Sequence, residues 1–229
     1  MSVPVSQRIA GLTPVFHGSV SDAELASHGL ARSEIIDFSV NANPLGPSPA
    51  AMAAAASAPW SRYPDDAATE LRRTLARRED VDASEVVVGN GSAELLAPAA
   101  VCAALDAVRP PWSVNAVAQA AGLAALDDEA HLQRARDEVR RARGYLSAAL
   151  AGRGLRVLPA TANFLLVDVG NAAAVRSALL RHGLCVRDCT SFALPAYVRI
   201  GLRTVPECER LVLAFDDPDV QRVSGLARG

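Results

Sequence analysis

The chain has 229 residues, half of them hydrophobic, and a formal charge of −2. That content suffices for one large or two modest cores, and arginines scattered among acids leave no basic stripe for nucleic acid. All 23 basic residues are arginine and none is lysine, so any chemistry that needs a primary amine on a side chain has no donor here.

The segment Met1-Ser2-Val3-Pro4-Val5 lacks the basic flank and apolar run of a secretory signal. No stretch reaches the roughly 20 apolar residues of a membrane span. The default expectations are a cytoplasmic location and no membrane partner. Cys102, Cys185, Cys189 and Cys208 are spaced irregularly, which favours reduced, buried thiols over a disulfide framework or a zinc site.

In chain order, Ser21-Asp22-Ala23-Glu24 has the form of a helix-opening capping box, Gly29 supplies the stop, and residues 35–40 read as a strand. Asn41-Ala42-Asn43-Pro44-Leu45-Gly46-Pro47 is too rich in turn residues for regular structure. Ser48 then caps an alanine-rich helix reaching Pro59, and after Tyr63-Pro64 comes a helix with Leu71 and Leu75 on one face. Residues 85–88 read as a β-branched strand running into Gly89-Asn90-Gly91-Ser92-Ala93-Glu94 and a helix. Helices follow over 113–126 and 128–150, then strands at 155–158 and 163–169, a helix at 175–181 stopped by Gly183, strands at 184–187 and 197–202, and a helix capped by Thr204 through Phe215. No periodicity is expected from Asp216 onward.

The glycine turn before Ser92 carries a chemical possibility. Free N–H groups at a helix start, with a serine hydroxyl and no Cβ in the way, suit a phosphate. The same sequence also serves as a plain strand reversal with a serine cap. Arg199, on a predicted strand, suits either an anionic ligand or a surface carboxylate. His17, His28, His131 and His182 show no ligand spacing and fit helix ends or the surface. Trp112, after two prolines, reads as a packing anchor.

Taken together, Asp37-Phe38-Ser39-Val40-Asn41-Ala42-Asn43-Pro44-Leu45-Gly46-Pro47-Ser48-Pro49, Tyr63-Pro64, Gly89-Asn90-Gly91-Ser92-Ala93-Glu94-Leu95, Arg109-Pro110-Pro111-Trp112-Ser113-Val114-Asn115, Ala162-Asn163-Phe164 and Val186-Arg187-Asp188-Cys189 resemble histidinol-phosphate aminotransferase and its relative threonine-phosphate decarboxylase. Both are fold-type I enzymes that use pyridoxal 5'-phosphate (PLP). The resemblance implies an α/β fold in which Gly91, Ser92 and Ala93 hold the cofactor phosphate. It implies that Tyr63 reaches the cofactor of a neighbouring subunit, hence a homodimer. Asn43, Arg187 and Arg199 would then line the site of a small phosphorylated amino-acid-type substrate, in histidine or cobalamin biosynthesis.

The departures from that family are as informative. Between Leu96 and Arg109 the family inserts most of its large domain, including the lysine segment, and only residues 97–108 stand here, too few for one βαβ unit. The expectation is a truncated fold-type I PLP-dependent transferase: residues 1–110 an N-terminal arm and large-domain remnant, 111–215 a linking helix and intact α+β small domain, and 216–229 a tail. The family holds its cofactor aldehyde as an imine on lysine and reuses that lysine as a base, which a permanently protonated guanidinium cannot do. The chain alone is therefore expected to be inactive, leaving a non-catalytic remnant or a binder of phosphorylated ligands as the alternative function.

Overall fold

The computed structural model describes residues 20–89 and 112–224. In chain order the elements are α1 (Asp22–Ser27), β1 (Ile36–Asp37), α2 (Pro49–Ala56), α3 (Thr69–Glu79), α4 (Ala116–Asp127), α5 (Glu129–Ala151), β2 (Arg156–Val157), β3 (Phe164–Asp168), α6 (Ala172–Arg181), β4 (Leu184–Cys185), β5 (Arg187–Asp188), β6 (Tyr197–Gly201), α7 (Val205–Ala214) and α8 (Pro218–Val223). They fall into two compact units that follow space and not chain order. Residues up to 44 join those from 137 onward, and 45–136 form the second unit. The domain boundary expected at residue 110 lies outside the described residues.

The first unit holds both sheets. In the larger, the strand order is β2-β3-β6-β5 with every pair antiparallel. Alternation decides its faces: Leu165 and Val167 of β3, and Val198 and Ile200 of β6, are buried. Leu146 and Leu150 of α5, Leu179 of α6 and Leu211 of α7 complete the core with Phe215. Helix α7 opens on the capping box Thr204/Glu207. Its first N–H, at Val205, also donates to Glu138 Oε1 at 2.9 Å, so a buried carboxylate meets the positive end of that helix.

The strand expected at 35–40 pairs only over Ile36 and Asp37, parallel to β4. Residues 38–41 continue as a strap across the C-terminal strands. Phe38 N donates to Cys185 O at 2.7 Å, and Gly201 N donates to Phe38 O at 2.7 Å. Gly201 is required there, because a Cβ would stand 2.4 Å from Val40 O. The strand expected at 184–187 divides at Val186, its first half pairing with β1 and its second with β6.

The second unit is built from helices with small side chains. Ser48 Oγ accepts from Ala51 N, with Pro49 opening α2. That helix stops at Ala56, short of Pro59. Buried side chains here are mainly Ala51, Ala58, Ala68, Ala76 and Leu71. Gly122 of α4 presents its bare backbone to Leu71 of α3, where a Cβ would touch Cδ1 at 3.4 Å.

Two expectations are corrected. Among the described residues, 86–88 join neither sheet. Glu85 is drawn into the 3₁₀ turn Ala83–Glu85, closed by its own capping box with Asp82. Beyond Phe215, where no periodicity is legible, Asp217 Oδ1 accepts from Asp219 N, Pro218 opens α8, and Val220 enters the core.

Candidate functional site

The site is clearest in the first unit, where β5 and β6 place Arg187 directly opposite Arg199. Directly opposed residues share a face, and like charges in that position destabilise a sheet. Each guanidinium has one aromatic neighbour. Arg187 lies 5.3 Å from the centroid of Phe192 and Arg199 lies 5.5 Å from that of Phe164, close enough for cation–π attraction. Arg187 is 5% exposed and donates through Nη2 to Ser191 Oγ at 3.0 Å.

Arg199 is half-buried and donates through Nη2 to Ser39 O at 2.8 Å. Its Nε is buried without a hydrogen-bond partner, and it makes no ion pair among the described residues. Burial pushes its pKa below the usual arginine range; Cys189 opposes that shift and the charge of Arg187 adds to it. It stays cationic at any ordinary pH. A half-buried cation beside a second cation, with an N–H unmatched, suits an oxyanion that accepts from a guanidinium.

The strap sets this geometry. Asp37 Oδ1 accepts from both Ser39 N and Ser39 Oγ, at 2.8 and 2.6 Å, which turns the Ser39 carbonyl toward Arg199. Asn163 Nδ2 donates to Asn41 O at 3.1 Å, tethering the chain just before Asn43, which is exposed. Burial disfavours the thiolate form of the buried cysteines. Burial raises Cys189, against the pull of Arg199 and Arg187; Cys185 is likewise raised by burial, and Cys208 is pushed up to about 11 by the same cause.

Of the residues expected at a site, Arg187 and Arg199 come together, and Asn43 follows the strap that holds Arg199. Tyr63 belongs to the second unit, where it is 81% exposed and packs its ring on Trp112, centroids 4.7 Å apart. Trp112 does pack, but against Tyr63 at the surface. It is 46% exposed with φ of +57°, and its N–H donates to Asp66 Oδ1. Gly91, Ser92 and Ala93, and with them the expected phosphate turn, lie outside the described residues. Among the described residues no cluster suits a metal ion, and no helix is long and apolar enough to cross a membrane. Phe164, Phe192, Ser39 and Ser191 were not singled out by motif; their part depends on strand register.

The mixed α/β arrangement has the fold of the fold-type I transferases. The histidinol-phosphate aminotransferase of Sinorhizobium meliloti, solved in complex with pyridoxal-5'-phosphate, superposes with a TM-score of 0.79 at 17% identity, covering 97% of this chain and 98% of that one. The L-threonine-O-3-phosphate decarboxylase of Porphyromonas gingivalis superposes at 0.66 with 16% identity, over 80% and 98% of the two chains. Residues 95–215 match the family described as aminotransferase class I and II, and the chain belongs to it. In sequence it is 48% identical over 116 residues to the histidinol-phosphate aminotransferase of Symbiobacterium thermophilum, 50% of this chain and 32% of that protein. The chain thus spans about a third of the length of the curated relatives it matches.

Proposed function

We propose that this chain derives from a PLP-dependent aminotransferase of the histidinol-phosphate type and keeps the part of its site that grips the acidic end of a phosphorylated amino-acid-type substrate. The observation that carries this reading is the opposed pair Arg187 and Arg199, two cations brought face to face at a cost that a bound anion would offset. Asn43, beyond the Asn41 tether, would border the same ligand.

The family's cofactor chemistry does not fit the donors this chain supplies. Holding an aldehyde needs an unprotonated amine, and the cationic side chains here are all guanidinium groups. Expected inactivity follows: the chain alone binds but does not transaminate. Gly91, Ser92 and Ala93 remain the proposed cradle for a cofactor phosphate, and Tyr63, exposed and backed by Trp112, the proposed contact to a second subunit in a homodimer. The twelve residues 97–108, standing where the family inserts most of its large domain, support an internal deletion.

The test is equilibrium binding of histidinol phosphate and of L-threonine O-3-phosphate to the pure chain and to Arg199→Gln, with glutamate-dependent turnover assayed in parallel. Saturable binding lost in Arg199→Gln, without turnover above free PLP, is expected. Tighter binding of the threonine compound would assign the ancestry to the decarboxylase. Turnover by the lysine-free chain would sink the inactivity reading, and equal behaviour of both proteins would sink the anion site.

A further inference from the structure

Phe192 is an odd residue in its setting. It is 56% exposed, so it adds little to the core, yet its backbone is held closely. Asp188 Oδ1 accepts from Thr190 N and Thr190 Oγ1 at 2.8 and 2.6 Å. Phe192 N donates to Cys189 O at 2.9 Å, and Ala193 N donates to Thr190 O at 3.0 Å. The 3₁₀ turn Thr190–Phe192 then leaves through Ala193 in the left-handed region, φ +60°, a conformation that costs energy for a residue with a Cβ. A tightly fixed turn that presents a large aromatic to solvent needs a reason beyond packing.

The ring's contact supplies one. It covers the guanidinium of Arg187 at 5.3 Å, while the preceding residue, Ser191, accepts from the same guanidinium. One turn therefore fixes Arg187 by an edge and by a face. We infer that Phe192 is a positioning residue for anion binding: it keeps water off Arg187 and holds the guanidinium plane, so that the charge acts on an oxyanion at Arg199 with little screening. Attraction between charges rises as the local dielectric falls, and a cation already fixed loses less freedom when the anion arrives. An aliphatic side chain of similar bulk would fill the space but lose the attraction of the ring face for the cation. The inference rests on the anion-pair reading above.

The experiment is a calorimetric titration of the full chain with inorganic phosphate at constant ionic strength, alongside Phe192→Leu, Phe192→Trp and Arg199→Gln, with thermal unfolding of each. Phe192→Leu is expected to weaken phosphate by about two- to fivefold at unchanged thermal midpoint, and Phe192→Trp to restore the affinity. If Phe192→Leu binds phosphate like the parent while Arg199→Gln loses it, the role of Phe192 is overturned and the anion site stands. If Phe192→Leu is unstable, the tryptophan variant decides, and recovery of stability without affinity overturns the role. If the parent and Arg199→Gln behave alike, the anion site falls and this inference with it.

Discussion

The two compact units are built from different material. Among the described residues, the largest fully buried side chains, including Phe38, Leu146, Leu165, Ile200, Leu211 and Phe215, all belong to the unit that combines the N-terminal strap with the residues from 137 onward. The described residues of the unit 45–136 bury mostly alanines, with Leu71 the main large side chain, and Trp60, Met52 and Tyr63 are exposed. Hydrophobic stabilisation scales with apolar area removed from water. The first unit therefore carries its own core, whereas the described residues of the second bury few large side chains.

The largest expected effect tests this contrast directly. Phe215→Ala should cost about 3–5 kcal/mol and Leu71→Ala about 2 kcal/mol, the low end for a large-to-small change. Denaturant unfolding followed by hydrogen exchange would measure both, and equal costs would break the contrast. In the same exchange experiment the amides of α2 to α4 should open before those of β3 and β6.

Next in size is Gly201→Ala. The added methyl meets Val40 O, and overpacking of this kind costs about 1–3 kcal/mol. Because the displaced segment carries the Ser39 carbonyl, phosphate affinity should fall as well, read in the same titration. A stable variant with unchanged affinity would show that the strap does not set Arg199.

Glu138→Gln should cost about 1–2 kcal/mol, the scale of a charge-assisted hydrogen bond. The Glu138 carboxyl is held below its ordinary range first by its hydrogen bond to Arg141 and next by the Val205 N–H, against burial. A depressed folded pKa gives stability that is present above the unfolded value and lost as pH falls through the folded one. The gap between parent and variant in chemical denaturation should thus be full at neutral pH and close in acid. A gap that persists at low pH would assign the effect to packing. Smallest is Tyr63→Phe, expected within about 0.5 kcal/mol in thermal unfolding because its ring lies at the surface.

The local signals in the sequence were good guides to helix starts. Ser21 with Glu24, Ser48 with Pro49, and Thr204 with Glu207 each mark a real N-terminus, since a cap depends on three or four neighbouring residues alone. Asp217-Pro218 carried the same kind of signal for α8, masked by the lack of periodicity in so short a helix. The run at 86–88 shows the opposite limit: β-branched residues favour a strand only where another strand lies alongside. Arg187 and Arg199 were both legible as candidates, but their face-to-face placement was not. It follows from the register of β5 on β6, set by the turn between them and by the strap from residues 38–41, which no local pattern encodes.

The strap has a consequence for synthesis of the chain. Ser39 receives its hydrogen bond from a residue 160 positions later, and Phe38 is sealed by strands that follow it at similar distance. At ribosomal rates of about 5–20 residues per second, its partners emerge roughly 8–32 s after it. For that interval the phenylalanine lacks its hydrogen-bonding strands, and the first unit can close only after residues up to 201 have emerged. The strap is therefore made well before the strands that fix it, and it waits unpaired for them.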